Sequence, residues 1–268
     1  MRKIIKKHPE WVYNSSKCSW DKESRDAILN AFGFDNVFSK EDPNWDVFKF
    51  YEWIGIDVCP YCNSREIGVG EDVDLDIKVR DQIEHFFPDS KYPFLSISLF
   101  NMIPVCPTCN RNKLAHDTYE EKMVYPYRME FGKDACFFVK YDLSAIYASN
   151  SNFSKHLQSQ KIKCIIRKYD TTVVKKNEIK KSIEKLKLVA EYNSHAKREI
   201  KDILAECQSE VLSRLPYIQQ LGFSKEKILK RLSNKYTNES KSEYPYRKLR
   251  EDVLEQIEKY TSGSLTYW

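Results

Sequence analysis

The sequence predicts an α+β protein in which a zinc-stabilised core lies between N-terminal helices and a C-terminal helical domain. Three observations predict it. Two Cys-x-x-Cys pairs, Cys59/Cys62 and Cys106/Cys109, are separated by residues 63–105. Short apolar runs broken by turn residues occupy about 54–134, too short for long helices. Beyond Thr172, by contrast, apolar residues recur at threes and fours, the period of an amphipathic helix.

Composition bounds the answer. With 268 residues, 41% of them apolar and only seven glycines, the chain buries a real core and fits neither the disordered nor the low-complexity classes. No run approaches the roughly 20 apolar residues that a bilayer span needs, and MRKIIKKHPEWV lacks the apolar stretch of a signal peptide. A cytoplasmic protein with no membrane partner is expected.

Residues 1–53 read as a helical lead-in: after Asp21, the segment KESRDAILNAF places Ile28, Leu29 and Phe32 at helical spacing. Residues 54–147 form the expected core domain. Within it, the Gly-containing acidic stretch 68–76 is expected to be a loop, and CFFVKYDLSAIY at 136–147 a strand at the core's edge or a bridge out of it. Residues 148–268 are the expected basic helical domain, with Ile179, Ile183, Leu186, Val189, Ala190, Ala196, Ile200, Ile203, Leu204, Cys207, Val211 and Leu215 as its packing stripe. Pro216 and Gly222 mark a turn, Ser224 a helix cap, and Pro245 precedes a last helix over about 246–260.

Charge is uneven. The formal net charge of +5 divides into −4 for residues 1–160 and +9 for residues 161–268. Lys161–Lys187 holds ten basic and three acidic side chains, which suits either contact with a polyanion or the solvated face of a helix.

The cysteines point to metal. Two thiolates on one tight turn reach the same ion, and a second pair closes the tetrahedral all-sulfur site of structural zinc. The polar residues following each pair, Asn63 and Asn110, suit a zinc knuckle, and no βαβ pattern supports a redox pair. Four sulfurs leave no open position, so such an ion holds the fold and performs no chemistry.

Between the pairs stand Asp81-Gln82-Ile83-Glu84-His85-Phe86-Phe87-Pro88 and Asn101-Met102-Ile103-Pro104, and the second pair leads into Asn110-Arg111-Asn112-Lys113. An acidic residue with His before an apolar-Pro step, a central Asn, and an Asn directly after the second pair resemble the HNH endonuclease family over residues 59–113. The resemblance implies a ββα-metal core, a two-stranded hairpin packed on a helix around one divalent cation. It also implies roles: His85 as general base, Glu84 and Asn110 as ligands of a catalytic Mg²⁺ or Mn²⁺, and Asn101 as the residue tying the loop that supports catalysis. Asp81 is an alternative carboxylate, the role of Lys113 is open, and His116 and Asp117 read as an exposed helix-end pair.

The residue types suit the chemistry. Phosphodiester hydrolysis needs a base for water near neutral pH and neutralisation of charge on the phosphate and leaving oxygen. A neutral imidazole and a hard cation on oxygen ligands supply both. MRKIIK, Val124-Tyr125-Pro126-Tyr127, Phe131-Gly132 and CFFVKY further resemble a standalone bacterial HNH subgroup found in retron-linked and Septu-type anti-phage systems. That implies DNA as substrate, with RNA as the alternative, and an ATPase as partner protein. A zinc-stabilised nucleic-acid-binding module without cleavage and a nuclease subunit silent until assembled are the alternative readings.

Overall fold

The structure, a computed structural model, describes residues 21–32, 46–114, 116–132, 134–140, 161–166, 173–208, 220 and 244–261. The chain divides into two compact units, Met1–Phe131 with Thr171–Leu186, and Gly132–Asp170 with Lys187–Trp268. Among the described residues no helix is long and apolar enough to cross a membrane.

The first unit begins with α1 (Lys22–Phe32) and α2 (Val47–Ile54). Asp21 opens α1, its carboxylate accepting from the Ser24 N–H at 2.8 Å. Asp46 caps α2 by accepting from the Lys49 N–H at 2.7 Å, and Gly55 ends it in the left-handed region at φ 58°, where a side chain is strained. Between these caps Phe50 and Tyr51 are buried and pack with Met102, Ile83 and Leu99.

Residues 68–76, expected as a loop, instead form most of a hairpin. Strand β1 (Val69–Asp72) pairs antiparallel with β2 (Ile77–Arg80), Val69 opposite Arg80 and Asp72 opposite Ile77. Asp76 in the turn adopts φ 52°, and the Asp72 carboxylate accepts from the N–H groups of Asp74 and Leu75 at 3.1 Å. That Asx turn makes the acidic run a turn between strands. All eight strand residues are exposed, so no buried face marked the strands in the sequence.

Strand β3 (Gln82–His85) pairs antiparallel with β4 (Met102–Val105), Glu84 opposite Ile103 and His85 opposite Met102. Helix α3 (Pro107–Lys113) follows β4 directly, with Pro107 in its first turn and Cys106 as its cap. Tyrosines fix the hairpin: Tyr51 donates to the Gln82 carbonyl at 2.9 Å and Tyr127 to the Met102 carbonyl at 2.7 Å. Helix α4 (Val173–Lys185), expected in a separate C-terminal domain, belongs to this unit. Its Ser182 hydroxyl accepts from the Val124 N–H at 2.7 Å, Lys185 pairs with Glu121 at 2.9 Å, and the Leu186 carbonyl accepts from Asn112 of α3 at 3.1 Å.

The second unit departs from the purely helical domain that the sequence predicts. Strand β5 (Ala135–Lys140), expected at the edge of the core or as a bridge out of it, pairs here with β6 (Lys161–Ile166), Phe137 opposite Cys164. Helices α5 (Leu188–His195), α6 (Lys197–Gln208) and α7 (Arg247–Thr261) complete the described part. Asp252 and Gln256, one turn apart on α7, cover the outer edge of β5. Asp252 accepts from the Phe137 N–H at 2.7 Å, and Gln256 accepts from the Val139 N–H and donates to the Phe137 carbonyl. Phe137 stacks on Tyr192 with centroids 4.0 Å apart.

The expected packing stripe is buried at Ile179, Ile183, Leu186, Ala196, Ile200, Ile203 and Leu204. It runs over three helices and the turns between them, where Leu186 and Ala196 lie; Lys187 at φ 54° resets the period, leaving Ala190 exposed and burying Leu188 and Tyr192. Pro245 precedes α7 as expected, whereas Val211, Leu215, Pro216, Gly222, Ser224 and residues 141–147 lie outside the described residues.

Candidate functional site

The four paired cysteines converge. Cys59, Cys62, Cys106 and Cys109 are all buried, with their sulfurs within 4.8 Å of one another and Cys62 and Cys106 4.0 Å apart. Tetrahedral zinc at about 2.3 Å from each sulfur requires sulfur pairs a little under 4 Å apart, so the quartet fits one such ion. Local backbone builds each half. Asn63 at φ 52° turns the chain so that its N–H donates to the Cys59 carbonyl at 2.8 Å, while Val58 bridges Glu66. Cys106 and Cys109 sit on the first turn of α3, the Cys109 N–H pointing at the Cys106 sulfur at 3.5 Å. Hydrogen bonds from Cys109 first, then Cys59 and Cys62, pull the Cys106 thiol down, and the same bond to Cys106 pushes Cys109 up. Cys136 lies in the second unit, outside the quartet.

Beside the cluster, β3 and α3 wall an open pocket of about 430 Å³ lined by Gln82, Glu84, His85, Asp89, Asn110 and Arg111 among others. Two periods make this wall. Gln82 and Glu84 are two apart on a strand, Asn110 and Lys113 three apart on a helix, and each spacing returns a side chain to the same face. Gln82 therefore meets Asn110, whose amide donates to its Oε1 at 2.7 Å, and Glu84 meets Lys113 in an ion pair.

Glu84 and Lys113 are both buried. Tyr61, lying between the first two cysteines, donates to the second oxygen of Glu84 at 2.9 Å. Burial pushes the Glu84 carboxyl up to about 7 against the opposing pull of Lys113 and Tyr61. Burial likewise lowers Lys113, although Glu84 favours its charged form. Lys113, whose role the sequence left open, thus neutralises Glu84 and also donates to the His85 carbonyl at 2.5 Å.

His85 lines the same pocket. Its Nε2 lies 2.7 Å from the Ser96 carbonyl oxygen, which can only accept, so neutral His85 carries its proton on Nε2 and turns Nδ1 toward Asp89, 3.9 Å away. Asn110 spends its amide nitrogen on Gln82, so its carbonyl oxygen is the atom that could ligate a hard cation.

Asn101 does not line the pocket. Buried behind it, the side chain accepts from the Phe87 N–H at 2.7 Å and donates to the carbonyls of Phe87 and Leu95 at 3.0 and 3.1 Å. It holds the long β3–β4 connection, which carries Pro88, Asp89 and Ser96, against the start of β4. Asn101→Ala leaves three buried backbone groups without that partner, each worth roughly 1–3 kcal/mol. A loss of about 3 kcal/mol or more in denaturant unfolding is expected.

Other candidates fall elsewhere. Asp81 accepts from the Gly68 N–H at 3.1 Å, closing the base of the β1–β2 hairpin outside the pocket. His116 pairs with Glu121 at 3.0 Å, and Asp117 is buried, not exposed as expected, accepting from Lys91 and from the Tyr92 hydroxyl at 3.1 Å. Gln82, Tyr61 and Asp89 are the pocket or supporting residues that sequence reasoning passed over. Gln82 was available from the strand period, two before Glu84; Tyr61 and Asp89 carry no such signal.

Compared with curated proteins, the chain is 34% identical over 68 residues to the Septu protein PtuB of Bacillus thuringiensis. That match covers 25% of this chain and 23% of the relative's length. No protein-family model matches, and no solved structure matches.

Proposed function

We propose that the protein is a metal-dependent HNH endonuclease that hydrolyses DNA phosphodiester bonds in anti-phage defence. The observation that carries this reading is the convergence of Glu84, His85 and Asn110 on one open pocket of a strand-strand-helix unit pinned by four cysteines. Zinc in the cysteine quartet holds β4 and α3 in place and takes no part in the reaction. The oxygen donors of Glu84 and Asn110 fit Mg²⁺ or Mn²⁺, which when bound neutralises charge on the phosphate and the leaving 3′ oxygen.

The chain's own residues supply the rest. The Ser96 carbonyl fixes the Nε2–H tautomer, so Nδ1 of His85 is the atom that takes the proton of the attacking water. Lys113 is a positioning residue: it keeps the Glu84 carboxylate in place and, through the His85 carbonyl, ties that residue's backbone to α3. Asn101 keeps Ser96 at the distance that orients the imidazole. In-line displacement of the 3′ oxygen leaves 5′-phosphate and 3′-hydroxyl ends. The basic segment Lys161–Lys187 adds phosphate contacts.

Similarity to the Septu protein PtuB supports the defence setting; within it we read the chain as a nuclease that works beside an ATPase partner, on the strength of the pocket residues and not of that similarity. The test is supercoiled-plasmid nicking by zinc-loaded protein with Mg²⁺, Mn²⁺ or EDTA, zinc content being measured in each sample. Nicking with Mg²⁺ or Mn²⁺ that disappears in EDTA while zinc is retained is the expected result. DNA binding without scission in either metal would overturn the stand-alone nuclease.

A further inference from the structure

Four consecutive residues of α3 divide their tasks. Asn110 donates to Gln82, Asn112 donates to the Leu186 carbonyl, and Lys113 pairs with Glu84. Arg111 alone of the four is exposed and, among the described residues, its side chain makes no ion pair and no hydrogen bond. It nevertheless lines the pocket that holds His85.

This is a specific arrangement. The pocket contains two carboxylates, and neither takes Arg111. Glu84 is committed to Lys113 and Tyr61, and Asp89, half exposed and lining the same pocket, lies 3.9 Å from Nδ1 of His85. An arginine beside two carboxylates that it does not pair with is an uncommitted donor fork, and the pocket gives it room to meet a ligand. Guanidinium presents paired N–H groups whose spacing matches two oxygens of a phosphate, and its positive charge persists at all working pH values.

We infer that Arg111 is the phosphate clamp of this pocket, binding the non-bridging oxygens of a nucleic-acid phosphodiester and holding it against the α3 wall. The inference rests on the reading that the pocket takes a phosphodiester, and it adds a residue outside the proposed metal ligands and base. Arg111 binds substrate; it does not move the proton. Its loss therefore weakens ground-state and transition-state binding together, raising KM more than it lowers kcat.

The test uses the full, zinc-loaded chain, a duplex DNA oligonucleotide as probe, and buffer without Mg²⁺ or Mn²⁺, so that binding is read apart from cleavage. Wild type, Arg111→Ala and Arg111→Lys are titrated from about 50 to 200 mM salt, a range over which phosphate contacts weaken measurably. Arg111→Ala should bind roughly tenfold more weakly and flatten the plot of log K against log salt by about 0.9, the slope of one lost phosphate contact. Arg111→Lys should keep the slope, retaining the charge, and still bind more weakly than wild type, having lost the fork. Because Arg111 is exposed, both variants should melt with wild type.

Unchanged affinity and slope in Arg111→Ala would overturn the clamp, whatever the plasmid assay shows. A flattened slope together with failure of wild type to nick DNA in either metal would keep the clamp and remove the nuclease reading. Equal losses of affinity and slope in the alanine and lysine variants would also overturn it, since that pattern marks a disturbed helix and not a lost fork.

Discussion

His85→Ala is expected to lower plasmid cleavage by roughly 10²–10⁴-fold while DNA affinity stays near that of wild type. The size follows from the role. On the proposed reading Nδ1, the ring nitrogen that the Ser96 carbonyl does not engage, takes the proton, and without it water must lose its proton to bulk solvent. The variant also removes the donor from the buried Ser96 carbonyl, so a stability loss of roughly 1–3 kcal/mol accompanies the kinetic one. Cleavage is therefore compared well below the melting transition. A fall in kcat with little change in KM separates a lost base from a loosened pocket. Cleavage by His85→Ala within a few-fold of wild type would remove His85 from the chemistry, and with it the assignment of the pocket.

Much of this pocket was legible because its residues obey short spacings. Glu84 and His85 adjoin on one strand, Asn110 follows directly on Cys109, and the cysteine pairs fix where both elements meet. The cluster itself was readable because two thiols on one turn are a local feature. Asn101 was singled out by its place in the motif, and it makes three hydrogen bonds to backbone groups of 87 and 95, partners that no local spacing announces.

What the sequence did not disclose depended on distant partners. Lys113 reads as any lysine on a short helix until Glu84, on another element, is found across from it. The hairpin at 69–80 lacks the buried face that makes alternation visible, so its acidic turn was read as a loop. Lys161–Ile166 was read for its charge, although the pattern Lys-Ile-Lys-Cys-Ile-Ile also belongs to a strand, and its partner β5 lies beyond a long connection. Helix α4 carries the same heptad-like pattern as α5 and α6. Only the break at Lys187 and the bonds from Ser182, Lys185 and Leu186 place it in the first unit.

Cys59→Ser should have the largest effect on stability. Structural zinc in comparable peptides contributes about 10–16 kcal/mol of apparent binding energy, as much as the whole stability of an ordinary domain. The structure explains why the loss would spread. Cys106 caps α3 and Cys109 lies in its first turn, so a helix of seven residues, too short to persist alone, is held at its start chiefly by the cluster. Releasing it withdraws Lys113 from Glu84, which leaves a buried carboxyl without its cation, and withdraws Asn110 from Gln82. Zinc loss therefore dismantles the pocket as well as the metal site. The expected result is less than one zinc per chain and loss of the cooperative unfolding transition of the first unit. Cys136→Ser, altering a buried cysteine of the second unit outside the quartet, should retain full zinc and serves as the control. If Cys59→Ser instead kept one equivalent of zinc and the wild-type Tm, the sulfurs would not be the ligands, and the stability of β4 and α3 would have to come from the tyrosine and asparagine bonds alone.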